Sequence, residues 1–282
     1  MRETALLVIV CIALMAVCTT GCTDKKTEPA DTVSADTVVE DTTPVDTMEE
    51  LISENPMPKA AEELFNDFIF NFAANKQLQR NRITFPLPVK NGEITTTIMK
   101  EDWEMERFFM QQGYYTLLLD SRRQLDMAND TSVKNVVIEK LDLVNDVVKR
   151  YNFDRENGQW RMTALEYTSA EDNVNAGFLR FYQQFATDST FRAGSLNDPI
   201  RFTGPDPEDD FNDISTDISP AEWESLGLDD LPNGLIYNII YGQEYKRQDQ
   251  KIFLMRGIAN GLEVELTFSR IEGAWRLTKV VE

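Results

Sequence analysis

Apolar residues early in the chain recur every three or four positions, at Ala61, Leu64, Phe65, Phe68, Ile69 and Phe72. That spacing forms one face of a helix, and Pro58 sits where helices begin. A short second helical turn is predicted at 77–81. Residues 83–90 and 93–100 then flank Asn91-Gly92, a strong signal for a two-residue hairpin. Pro86 and Pro88 cannot donate to a ladder, so this hairpin is expected at a sheet edge. Another short helix is expected within 101–110. From position 114 the pattern becomes that of strands, at 114–119, 133–141, 147–153 and 159–167. Asn157-Gly158 turns the chain between the last two.

The pattern then starts again. Phe65, Phe68, Phe72, Ala73 and Leu78 correspond to Phe178, Phe181, Phe185, Ala186 and Phe191, all 113 positions later. Ile83 and Phe85 correspond to Ile200 and Phe202, and Trp103-Glu104 to Trp223-Glu224. Ser219-Pro220-Ala221-Glu222 forms a capping box with proline at the first helical position. Strands follow at 235–241, 251–256, 262–269 and 274–281, with turns at Asn260-Gly261 and Glu272-Gly273. In the third of these, Val264, Leu266 and Phe268 alternate with polar residues. The closing segments match best: Phe153, Arg155, Gly158, Trp160, Arg161 and Thr163 recur as Phe268, Arg270, Gly273, Trp275, Arg276 and Thr278, at an offset of 115. Helices followed by antiparallel strands give an α+β class. The expected domains are a signal peptide (1–21), an acidic tether (22–57), a first α+β module (58–168) and a second (174–282).

Charge and rare residues then narrow the functions. The net charge is −20, which disfavours nucleic acid and anionic lipid headgroups as partners. Histidine is absent, which removes Ser-His-Asp, Cys-His and imidazole–zinc chemistry. The three cysteines, Cys11, Cys18 and Cys22, all precede residue 23, so neither a disulfide framework nor a thiolate metal site is expected in the modules. No cofactor is implied.

The N-terminus reads as an address. Arg2 precedes an apolar run of 13 residues from position 5 to 17, the layout of a secretory signal peptide. Its end, Thr19-Thr20-Gly21-Cys22, resembles the lipobox of bacterial lipoproteins, which implies that Cys22 carries the lipid. An ordinary signal peptide with an incidental cysteine is the other reading. Residues 23–57 contain ten acids and two bases, three prolines and no aromatic residue, a composition that cannot offset ordering entropy. Asp-Thr recurs every five residues, placing Thr32, Thr37, Thr42 and Thr47 in a pattern that resembles the Asp-Ser/Thr-aliphatic acceptor motif of a Gram-negative O-glycosylation system. A plain acidic spacer fits the same residues.

The order of elements resembles the cone-shaped nuclear transport factor 2-like fold, in which an N-terminal helix pair lies on a bent sheet. Lipobox, acidic tether and tandem modules together resemble an uncharacterised family of bacterial lipoproteins with this fold. The resemblance implies two such modules, each a helix pair on a curved antiparallel sheet, in the envelope of a Gram-negative bacterium. The anchor would lie in the outer membrane, on its periplasmic side in preference to the surface.

Candidate sites follow from this plan. Trp103 and Trp223 lie beyond the edge hairpins, near where a cone would open, and are candidate pocket walls alongside Tyr114 and Tyr115. The two tryptophans also fit ordinary core positions. Asp206, Glu208 and Asp210 alternate like calcium ligands. However, Phe211 stands where a calcium loop needs glycine, so a solvated turn is expected and no metal. No catalytic residue is assigned. The expected function is a membrane-tethered, non-catalytic binding or scaffold protein, whose partner is an envelope protein, a glycan or a small apolar ligand. The alternative is a carboxylate- or tyrosine-dependent isomerase, dehydratase or hydrolase, which would place an acid against a tyrosine within one cone.

Overall fold

A computed structural model describes residues 63–206, 209–226, 231–246 and 249–282. Cys22, Thr32, Thr37, Thr42 and Thr47 lie outside these residues, as does Glu208. The first half opens with helices α1 (Phe65–Ala74) and α2 (Lys76–Arg82). Strands β1 (Leu87–Asn91), β2 (Ile94–Ile98), β3 (Tyr114–Leu119), β4 (Asn135–Asp142), β5 (Val147–Glu156) and β6 (Gln159–Ser169) follow. The second half repeats this order with α3 (Ala176–Thr187), α4 (Ser189–Gly194), β7 (Leu196–Asp206), β8 (Asp209–Ile218), α5 (Pro220–Ser225), β9 (Leu235–Ile240), β10 (Gln250–Gly257), β11 (Glu263–Ile271) and β12 (Ala274–Val281).

Local chemistry starts the helices at matching places. The side chain of Asn75 caps α2 by accepting the Leu78 amide, and Asp188 caps α4 by accepting the Phe191 amide, 113 positions on. Ser219 and Glu222 form the capping box of α5. The 101–110 stretch is not an α-helix. It holds only a 3-10 turn at Phe108–Gln111, because its apolar residues are spent on contacts with α1 and the sheet. A second 3-10 segment, Arg122–Asn129, lies where no element was expected.

The described strands form one sheet, in the order β2-β1-β6-β5-β4-β9-β3-β10-β11-β12-β7-β8. Two self-contained halves would place β3 beside β4 and β9 beside β10. Instead β9 pairs antiparallel with β4, and β3 pairs antiparallel with β10, so the halves exchange their third strands. The sheet is mainly antiparallel, with parallel contacts at β1–β6, β12–β7 and β3–β9. The hairpin of β1 and β2 lies at one edge, and β1 pairs with β6 only from Val89 onward, past Pro88.

The exchange gives the sheet two cores, one on each face. Along β3, Tyr115, Leu117 and Leu119 enter the first core and Leu118 enters the second. Along β10, Ile252 and Leu254 enter the first and Phe253 the second. Successive strand residues point to opposite faces, so the cores lie on opposite sides of the central strands. A strand buried on both faces reads as a nearly unbroken apolar run. Tyr-Tyr-Thr-Leu-Leu-Leu and Leu-Ile-Tyr-Asn-Ile-Ile, the sequences of β3 and β9, are such runs.

Each core is built on the same aromatic cluster. Phe65 meets Trp160 edge-on at 5.1 Å and Phe153 at 5.2 Å. Phe178 meets Trp275 at 5.3 Å and Phe268 at 5.4 Å. Arg155 stands over Trp160 at 4.8 Å, and Arg270 over Trp275 at 5.1 Å. The repeated residues of the two closing hairpins therefore occupy equivalent surroundings.

Candidate functional site

Gln79 organises a polar site in the first half. It is fully buried on α2 and uses every hydrogen-bonding position it has. Its Nε2 donates to the Phe72 carbonyl at 2.9 Å and to the Glu106 carbonyl at 2.6 Å. Its Oε1 accepts from Trp103 Nε1 and from the Glu106 amide, both at 3.1 Å. The loop between β2 and β3 is thereby tied to the helix layer. Two residues on, Phe108 is held at φ 49°, a left-handed conformation that costs a bulky residue about 1–3 kcal/mol. Packing over-determines it, since the Phe108 ring lies 4.7 Å from that of Tyr151.

This loop brings Glu106 onto the face of the sheet that carries the first core. Tyr151 donates its hydroxyl to Glu106 Oε2 at 2.6 Å, and Lys149 Nζ reaches the same oxygen at 3.0 Å. Lys140 Nζ lies 3.9 Å from Oε1. Lys149 and Tyr151 are two apart on β5 and share a face, and Lys140 is directly opposite Lys149 on β4. Lys149 Nζ also stands over the rings of Tyr151 (4.7 Å) and Tyr167 (5.9 Å). Beside this cluster lies a cavity of about 300 Å³, walled by Ile98, Trp103, Glu106, Lys149, Leu165 and Tyr167. The exposed Asp102 and Glu104 also border it.

Protonation here is settled well away from neutrality. Burial pushes the Glu106 carboxyl up, but the Tyr151 hydrogen bond and the two ammonium groups outweigh it, so its pKa falls below the ordinary value. Burial first, and then the neighbouring Glu106 carboxylate, push the Tyr151 hydroxyl far above the usual tyrosine range. At neutral pH Glu106 is ionised and Tyr151 is a neutral donor.

The second half lacks every member of this cluster. The strand registers pair Val136 with Phe153 and Lys251 with Phe268, which aligns the halves residue by residue. Lys140, Lys149 and Tyr151 become Met255, Val264 and Leu266, and the residue three beyond the tryptophan, Glu106, becomes Leu226. Gln79 becomes Arg192, which donates to the Phe185 carbonyl but has no acceptor to offer Trp223. The same framework is thus built without the charges.

Of the four residues singled out as pocket walls, only Trp103 lines this cavity. Trp223 is fully buried in the second core. Tyr115 is in the first core against Phe70 and Phe109. Tyr114, half-buried, is its neighbour on β3 and faces the other side of the sheet, so the two tyrosines share no cavity. Gln79, Glu106, Lys140, Lys149 and Tyr151 were not singled out from the sequence. The available signal was the repeat itself, in which Glu106, Lys140, Lys149 and Tyr151 have apolar partners and Gln79 has an arginine. A wider, open groove of about 960 Å³ runs along the β1–β2 turn, bordered by Lys90, Gly92, Glu93, Asp146, Glu166 and Asp172. It holds no converging buried groups and is the weaker candidate.

Residues 44–282 match a family described as a domain of unknown function, DUF4348. The chain belongs to this family. A solved NTF2-like protein from Bacteroides fragilis is similar to it, with 37% identity and a TM-score of 0.73 over 80% of this chain and 98% of that one. The DUF4348 chain therefore has an NTF2-like α+β fold, the nuclear transport factor 2-like class that its element order resembles. A comparison with curated proteins finds no match.

Proposed function

We propose that this DUF4348 protein is an exported, lipid-tethered binding protein of the Gram-negative cell envelope, that it is not an enzyme, and that the cavity beside Trp103 holds its ligand. Cys22 would carry the anchor, and residues 23–57 would form the tether. In this reading two NTF2-like modules arose by duplication, exchanged a strand, and diverged until only the first kept a site. The equivalent surroundings of Trp160 and Trp275 support the duplication.

The observation that carries the binding reading is the state of the Glu106 cluster. A buried charge cluster costs stability unless it is fully matched. The second half shows that the fold can do without it, so its retention beside a cavity points to a ligand. The enzymatic alternative draws on the same pair, a carboxylate touching a tyrosine. A general acid or base works best with a pKa near the working pH. Glu106 is pushed down and Tyr151 up, which parts them from that role.

The test is a ligand-observed NMR screen of small acids, sugars and neutral aromatics against the mature chain and an Ile98→Trp variant that fills the cavity from the edge strand. Hits lost in the folded variant are expected. Hits that survive it, or turnover of any compound by the wild-type chain, would refute the proposal.

A further inference from the structure

Beside the cavity, the charges of the Glu106 cluster do not balance. Two ammonium groups, Lys149 and Lys140, share the one carboxylate of Glu106. Both are mostly withdrawn from water, with side-chain exposures of 20% and 30%. Glu106 Oε2 is already occupied by Tyr151 and Lys149, at 2.6 and 3.0 Å. Lys149 spends one of its three donors there, and among the described residues no other side chain or carbonyl takes the remaining two. Within that cluster the surplus is one positive charge, although the lining of the cavity also carries the carboxylates of Asp102 and Glu104. Asp102 and Glu104 are exposed, where solvent and salt screen them, and do not offset a partly buried cation. A half-buried ammonium with two unspent donors favours a further acceptor.

The walls specify the rest of the ligand. Trp103, Leu165, Ile98 and the Tyr167 ring are apolar surfaces, whereas Lys149 is the one cation among the lining residues. Trp103 cannot turn to meet a polar ligand, because Gln79 holds its indole N–H. We infer that the cavity takes a small monoanion, a single carboxylate on a flat apolar body, with the carboxylate on Lys149 and the body against Trp103 and Leu165. Lys140 acts as a positioning residue. By engaging the other oxygen of Glu106, it leaves the Lys149 donors to the ligand. This assignment rests on the binding reading above and adds the charge and shape of the ligand.

Three probes of one shape test it: benzoate, benzamide and benzylamine, each titrated into the mature chain and followed by NMR at the Trp103 indole N–H. Benzoate should bind at least about tenfold more tightly than benzamide, as a charge-assisted contact outweighs a neutral one, and benzylamine should not bind. Lys149→Met should abolish the preference for benzoate over benzamide. Benzamide or benzylamine binding as tightly as benzoate would overturn the anion assignment and leave the cavity standing as a ligand site. No shift at Trp103 with any probe would overturn both. The comparison on the unmutated protein decides the matter even if Lys149→Met does not fold.

Discussion

The side chain of Asn238 on β9 accepts the backbone amide of Leu118 on β3 at 2.8 Å, at the parallel seam where the exchanged strands meet. The backbone ladder between these strands is a single contact, Thr116 with Asn238. Asn238 substitutes for the missing ladder bond, and its Nδ2 donates to Glu139 Oε2 at 3.1 Å. Tyr245 and Thr116 close the network by donating to the carbonyls of Leu118 and Tyr237. Replacing Asn238 with leucine strands a buried amide and removes a donor from Glu139. The expected loss is about 2–4 kcal/mol in urea unfolding. A loss under about 0.5 kcal/mol would mean that the seam does not depend on this side chain.

Glu139 gives stability an unusual pH dependence. It is buried, and burial raises its pKa despite donors from Asn238 and Asn173 and the nearby Arg150. The folded state therefore holds this proton more tightly than the unfolded chain. Between the ordinary glutamate value near 4.5 and its raised pKa, its contribution to stability falls as pH rises. The stability of Glu139→Gln relative to wild type should therefore climb with pH above about 4.5. Denaturant melts across a pH series read this directly, and a flat difference would contradict it.

Glu106 should behave in the opposite sense. Its pKa is lowered in the fold, so its stabilisation is present above the ordinary value and is lost as pH falls. Glu106→Gln leaves Lys149 and Lys140 without their carboxylate. A loss of about 1–3 kcal/mol is expected at neutral pH, shrinking towards zero in acid. Melts of the variant at pH 7 and pH 3 check both the size and the trend.

The repeated tryptophans should differ in cost. Trp160 Nε1 donates to the Glu63 carbonyl at 2.9 Å, whereas Trp275 Nε1 is buried and has no partner among the described residues. Ala176, which matches Glu63 at the 113 offset, is already inside α3. Trp160→Phe should therefore cost about 1 kcal/mol more than Trp275→Phe. Equal costs in parallel unfolding experiments would show that the indole hydrogen bond adds nothing.

The anchor and the tether are tested on the full-length chain in its own envelope. Cys22→Ala should leave the precursor uncleaved and the protein soluble, and membrane fractionation identical to wild type would count against lipidation. Intact-mass measurement should show added hexose mass on the segment bearing Thr32, Thr37, Thr42 and Thr47. An unmodified mass would leave the acidic spacer.

Part of the site could be read in advance and part could not. Trp103 stood out because it recurs as Trp223 beyond a hairpin. Gln79 looked like one more polar residue on a short helix, and its four hydrogen bonds appear only when the β2–β3 loop folds over it. Glu106 and Tyr151 are 45 residues apart. Nothing in the spacing of a carboxylate and a phenol at that distance predicts a 2.6 Å contact.

Most element types, the turns, a helix cap and the internal repeat were legible in the chain because each depends on neighbours within a few residues; the 101–110 stretch and the Arg122–Asn129 segment were the exceptions. Periodicity sets the face of a helix or strand, Asn-Gly and Glu-Gly set the turns, and Ser219 and Glu222 form the capping box of α5. The partners of β3 and β9 were another matter. Ladder hydrogen bonds are made by backbone groups common to every residue, so β3 fits beside β10 as well as beside β4. The choice rests on two cores that form together on opposite faces of one sheet, and on Asn238 at the seam between them.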